Sequence, residues 1–209
     1  LTQAIVISLK ILAIDVPLLL LFGTGAGWLL AKKNFVGKAF VETLLMLPLA
    51  LPPAVLGLYL LMFFGRIPFF RSMGLLFSFP AAALAALIPA LPMVISSARA
   101  GFQSVPISLE DAARTMGKGE IEVFFRISFP LAKRHIMAGL ALASARALGD
   151  FGVTLMIAGN IPGRTQTLPL YIYGQVETLE FAKANIAAAI LAVMGILSLR
   201  FVRAMEAGR

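Results

Sequence analysis

The chain has 209 residues, 60% of them hydrophobic and 13% charged, with a net charge of +8. Soluble domains carry about 25% charged residues, so this composition excludes an ordinary soluble protein and implies an integral membrane one. The absence of cysteine excludes disulfides and thiolate metal sites, and the single histidine, His135, excludes a multi-histidine metal site within one chain.

Crossing the bilayer core takes about 20 apolar residues in a helix. Five segments meet that length in chain order: 11–31, 41–64, 79–98, 131–158 and 184–202. The expected fold class is therefore all-α, a polytopic membrane protein with about five transmembrane helices, in a single domain over 1–209. The first run is too long for a signal-peptide core and has no basic flank before it, so no cleavable signal is expected. Segment 168–175 is too short to span. It reads as a turn of helix at the outer surface, with Tyr171 and Tyr173 at headgroup level.

The loops give direction. Lys32, Lys33 and Lys38 follow the first span. Arg99, Arg114, Lys118, Arg126, Lys133 and Arg134 surround the loop after the third, and Arg200, Arg203 and Arg209 close the chain. These are 12 of the 18 basic residues, on one side of the membrane. Lys10, Arg66, Arg71, Arg164 and Lys183 lie opposite. Basic loops stay in the cytoplasm, which places the N-terminus outside and the C-terminus inside. The positive charge is thereby explained without nucleic acid.

Prolines crowd the spans: Pro17 in the first, Pro48, Pro52 and Pro53 in the second, and Pro80, Pro89 and Pro92 in the third. Each removes a backbone donor and bends its helix. Freed carbonyls are tolerated in lipid only against protein or a water-lined cavity, so this density points to a path between helices. In the fourth span Arg146 and Asp150 share one helical face. Intramembrane charge marks function often but not always, and two readings stand: a pair framing a pathway, with Thr154 one turn further on, or an ion pair fixing helix packing. Asp15 is expected near the outer interface, because Lys10 lies about one turn before it. Lys133, Arg134 and His135 read as anchors at the cytoplasmic end of their span.

The loop at 106–126 is a charged island between apolar segments. Pro106 discourages helix before it. Ser108 can cap a helix, with Asp111 completing a capping box. Leu109, Ala112, Ala113 and Met116 recur at helical spacing and make one narrow apolar face. Glu110 and Arg114 can pair at i,i+4 on the outer face. Gly117 and Gly119 break the helix, and Ile121, Phe124 and Phe125 then point one way. On amphipathicity alone, a membrane-surface helix with no partner fits better.

The spacing of particular residues reverses that preference. Asp111-Ala112-Ala113 is followed by Gly117, with Ile127-Ser128-Phe129-Pro130 further on. This resembles the loop by which membrane subunits of ATP-binding-cassette importers engage their ATPase partners, where the pattern is Glu-Ala-Ala, three residues, Gly, nine residues, Ile-x-Leu-Pro. Asp111 stands for Glu and Phe129 for Leu. The resemblance implies that Glu110, Asp111, Ala112, Ala113 and Gly117 dock on an ATPase subunit. ATP and Mg would be held there, leaving this chain no cofactor and no catalytic residue.

A second resemblance extends along the chain. It rests on Ser8-Leu9-Lys10, Phe35-x-Gly37-Lys38, Leu47-Pro48-x-x-Leu51-Pro52-Pro53 with Gly57, Arg146-Ala-Leu-Gly-Asp150-Phe-Gly152, and Asn160-Ile-Pro162-Gly163 followed by Arg164, Thr165 and Thr167. The pattern is similar to the molybdate permease subunits of bacterial importers, with Asp150 in place of Glu. It implies the type I importer fold, a second copy of the chain across a two-fold axis and an extracytoplasmic molybdate-binding protein. Asn160, Arg164, Thr165 and Thr167 would form the external loop, although Thr165–Thr167 also fits an ordinary solvated loop. Tungstate shares the charge and nearly the size of molybdate. Sulfate and thiosulfate permeases share much of the pattern and form the alternative. An ion-coupled secondary transporter is the competing class, but the chain shows no internal repeat. A membrane-embedded hydrolase is disfavoured by the lack of a serine near His135. The chain has no Gly-x-x-x-x-Gly-Lys-Ser/Thr phosphate loop.

Overall fold

The structure is a computed structural model that describes residues 1–207, with side chains up to Arg200. Arg203 and Arg209, which contributed to the topology count, lie outside the described side chains. Among the described residues the architecture is all helical, with no strand.

Helix α1 (Thr2–Lys32) lies against α5 (Phe79–Gln103). Small residues allow the close approach. A Cβ added at Gly23 would come 2.6 Å from the Val94 Cβ, and one at Gly27 would come 2.6 Å from the Ala98 Cβ. In lipid no hydrophobic force draws helices together, so contacts of this kind supply the association. Helix α5 is the central element. Its alanines Ala81, Ala82, Ala85, Ala86 and Ala90 are buried in the main core beside Ile11, Leu19, Leu140 and Val153. Ser78 accepts a hydrogen bond from the Ala81 N–H and caps the helix. Pro89 and Pro92 lie within it, buried.

The second expected span is broken rather than straight. Helices α2 (Lys38–Ala50) and α3 (Pro53–Arg66) meet at 119°. Leu51 and Pro52 are extended, with ψ of 139° and 138°. A residue before proline is driven out of the helical region, and Pro53 can open a helix because its missing N–H is not needed there. A short α4 (Pro68–Ser72) follows.

A loop of about 25 residues separates α5 from α8. It contains α6 (Ile107–Thr115), α7 (Glu120–Val123) and a π-helical turn (Phe124–Ser128) that runs into α8 (Phe129–Leu148). The fourth expected span is also broken. Residues 149–151 interrupt it, and α9 (Gly152–Ala158) leaves at 57°. The expected short surface helix is present as α10 (Leu168–Glu177). The last helix, α11 (Phe181–Ala207), packs on α8 and α10. Among the described residues, three single helices are long and apolar enough to cross a membrane, and counting each bent pair as one span raises this to five.

Candidate docking loop and translocation path

The loop begins where α5 ends and the chain turns through Val105 and Pro106. Helix α6 starts directly after Pro106, and no side chain caps it. Ser108 lies inside the first turn, so the expected capping box does not form. Asp111 instead accepts a hydrogen bond from Arg114 Nη1 at 2.7 Å. The end of α6 is closed by backbone: Gly117 N–H donates to Arg114 O at 2.9 Å and Lys118 N–H to Ala113 O at 3.1 Å. This double closure needs a left-handed residue after the cap, and Gly117 supplies it with φ of +82°.

Glu110 and Arg114 do not pair with each other. Arg114 joins Asp111 to Glu120, with Nε 2.7 Å from Glu120 Oε1. The bonds to Glu120 and then Asp111 hold its guanidinium above its ordinary pKa. Glu110 points inward and is 3% exposed. Its Oε2 lies 3.0 Å from Lys32 Nζ at the end of α1, and its Oε1 accepts from Ser128 Oγ at 2.6 Å. An inward carboxylate needs such partners, since a buried unpaired charge is costly.

The expected apolar faces are rearranged in the same way. Ala113 is buried, while Leu109, Ala112 and Met116 face outward. Ile121 and Phe125 are also exposed, but Phe124 turns inward. Its ring meets Trp28 edge-on at 5.7 Å and lies 5.8 Å from Phe102 and 5.9 Å from Phe129. The result is an outer surface of Ile107, Leu109, Ala112, Met116, Ile121 and Phe125 around the Asp111–Arg114–Glu120 triad. Beside it lies a cleft of about 420 Å³ bordered by Trp28, Lys32, Lys33, Glu110, Arg114 and Glu120. The cationic head of Lys33 sits over the Trp28 ring.

Arg146 and Asp150 do form an ion pair, at 3.0 Å. Asp150 lies in the break between α8 and α9 rather than within a continuous span. Its Oδ2 accepts from the Thr154 N–H at 3.0 Å and from Thr154 Oγ1 at 2.8 Å. The carboxylate therefore caps α9 while its other oxygen holds Arg146. Next to it, Ser8, Asp150, Thr154 and Thr167 border a cavity of about 10 Å³. The Leu168 N–H donates to Ser8 Oγ at 2.9 Å, which ties α10 to α1.

Segment 158–169 divides into buried and exposed parts. Thr165 is fully buried. Its hydroxyl donates to Gly159 O at 3.0 Å and accepts from the Ile161 N–H at 3.2 Å. Asn160 Oδ1 accepts from Gln166 Nε2 at 2.9 Å. Thr167 is buried as well, so the solvated-loop reading fails for both threonines. Arg164 is exposed, next to Pro162 and Gly163. Asp15 is fully buried within α1, with neither carboxylate oxygen hydrogen-bonded. Sequence reasoning missed Lys32 and Ser128 as partners of Glu110, and the pairing of Arg99 on α5 with Glu42 on α2. No local spacing could reveal contacts over such separations.

The structure is that of a multi-pass helical bundle with broken spans and a charged surface loop. A crystal structure of an amino acid ABC transporter with histidines shares the fold, with a TM-score of 0.67 and 21% identity, covering 98% of this chain and 92% of that one. The chain belongs to the family described as binding-protein-dependent transport system inner membrane component, which matches residues 23–209. Its relatives include the molybdenum transport system permease protein ModB of Escherichia coli K12, 40% identical over 84% of this chain and 80% of ModB. The ModB protein of Haemophilus influenzae is 39% identical over 81% of this chain and 79% of its own. The sulfate transport system permease protein CysW of Synechococcus elongatus is more distant, at 32% over 99% of this chain and 74% of CysW.

Proposed function

We propose that the chain is the pore-forming subunit of an ATP-driven importer of molybdate, and also of tungstate, which carries the same charge. Two copies would enclose the path. Each would hold one ATPase subunit at the loop of residues 106–128, and ATP and Mg would bind in that partner. An extracytoplasmic binding protein would deliver the oxyanion to the outer mouth near Asn160 and Arg164. The N-terminus would lie outside and the C-terminus in the cytoplasm.

The observation that carries this reading is the outer face of the loop. Ile107, Leu109, Met116, Ile121 and Phe125 are exposed around a polar triad. A soluble partner can cover that face, and small Ala112 and left-handed Gly117 leave room for close approach. Asp111, Ala112 and Gly117 are the docking contacts of this reading. Ala113 supports them from beneath. Closure of the ATPase pair on ATP would draw the loops together, and α8 and α5, which begin and end at the loop, would shift with them. Arg146, Asp150 and Thr154 lie at the far end of α8, where that shift would reach the outer part of the path. The cargo assignment rests on the molybdenum permeases among the relatives.

The test is uptake of labelled molybdate into vesicles holding the complex of this chain, its ATPase and its binding protein. Uptake should need ATP and survive an equal concentration of sulfate. Competition by sulfate at that level would move the assignment to sulfate. Uptake driven by an ion gradient with no ATPase present would overturn the reading.

A further inference from the structure

We propose that Glu110 is a positioning residue rather than a docking contact: with Lys32 and Ser128 it forms a joint that makes α1 and α8 move with the docking loop. The inference rests on the docking role proposed for that loop.

The geometry separates two kinds of contact. The ion pairs of Arg114 with Asp111 and Glu120, and of Glu122 with Lys118 and Arg126, stay within the loop and the turn leading to α8. The Glu110 carboxylate does otherwise. One oxygen reaches Lys32, 78 residues away, and the other reaches Ser128, 18 residues away. Lys32 Nζ also lies 3.5 Å from Val105 O at the end of α5. The same ammonium thus touches both sides of the loop's entry. The side chains of Glu110 and Lys32 are 4% and 15% exposed, which leaves Glu110 little surface for a partner. A buried charge pair adds little net stability against an apolar replacement, but removing one member leaves the other uncompensated. Its contribution is therefore directional. The loop cannot slide past the end of α1 without stranding a charge, so a pull on α6 is transmitted to α1 as well as α8.

The experiment uses the full complex in vesicles and reads three quantities: ATPase co-purified, ATP hydrolysed, and cargo moved. Glu110→Gln and Lys32→Met should keep the ATPase at wild-type stoichiometry. Cargo moved per ATP should fall about five-fold or more in each, the range of a modest coupling energy. The exchange of charges, Lys32→Glu with Glu110→Lys, should recover much of the ratio. Lys32→Met is decisive where Glu110→Gln fails to insert, because Lys32 lies on α1, outside the docking face. A normal ratio in Lys32→Met would overturn the joint, as would loss of the ATPase in Glu110→Gln with a normal ratio in the complexes that remain. A wild-type chain that holds no ATPase would instead defeat the docking reading itself.

Discussion

Asp150 gives the sharpest quantitative expectation. Asp150→Ala removes the acceptor for the Thr154 N–H, the Thr154 hydroxyl and Arg146 in one step. The N–H belongs to the first turn of α9 and has no helical partner, so its loss costs about 1–3 kcal/mol. The hydroxyl can rotate to a backbone carbonyl and adds little. The Arg146 side chain is 28% exposed, so its contribution is discounted for screening to about 0.5–1 kcal/mol. The sum is about 3 kcal/mol. Asp150→Asn keeps an amide oxygen for Thr154 and loses only the charge, which costs about 1 kcal/mol. Chains of this size shift by roughly 2–4 °C per kcal/mol, so the alanine variant should melt about 6–12 °C lower and the asparagine variant about 2–4 °C lower. Thermal unfolding of the purified protein in detergent measures both. An alanine variant as stable as the wild type would refute the capping argument. So would equal losses in the two variants, which would assign the whole effect to the ion pair.

The remaining expectations concern packing and surfaces. Gly27→Ala places a methyl 2.6 Å from the Ala98 Cβ and 2.9 Å from the Arg99 N, and should cost about 1–3 kcal/mol in the same melting assay. Gly25→Ala meets nothing within 4 Å and should be neutral or slightly stabilising, since it restrains the unfolded chain. Gly117→Arg strains a left-handed residue in open space, so the bundle should stay folded by melting while ATPase co-purification drops about ten-fold or more. Arg164→Glu reverses an exposed charge on the outer segment. It should weaken capture of the loaded binding protein about ten-fold, read by surface binding, with the melting temperature unchanged.

Much of the bundle can be read from hydropathy, because each span is a long apolar run and the loop is a charged interruption. The breaks are harder to see. Averaging over a window of about 20 residues hides the elbow at Leu51-Pro52 and the interruption at Gly149-Asp150-Phe151, although proline and glycine mark where each could occur. How far a break bends depends on what packs on either side. The Glu110 partner was missed for a related reason. Local rules offer Arg114 at i,i+4, worth a few tenths of a kcal/mol, which is too little to decide where the carboxylate points once the fold brings Lys32 and Ser128 beside it. The burial of Asp15 is likewise invisible in the sequence, because nothing local says which face of α1 the neighbouring helices cover. The buried threonines of the external segment look like solvated residues until Thr165 is seen closing a turn on Gly159 and Ile161.

The π turn at Phe124–Ser128 leads into α8 with one residue to spare. Such a turn holds one residue more than an α-helical turn, and each residue of an α-helix advances the chain by about 100°. Excising one residue there would restore ordinary winding without turning what lies beyond by that angle, because the wider turn already absorbs the surplus within one revolution. Ser128, which donates to Glu110, lies inside the widened turn, so an excision would disturb that contact locally while α8 kept its heading. The surplus residue thus shapes the entry to α8 and leaves the far end of that helix in register.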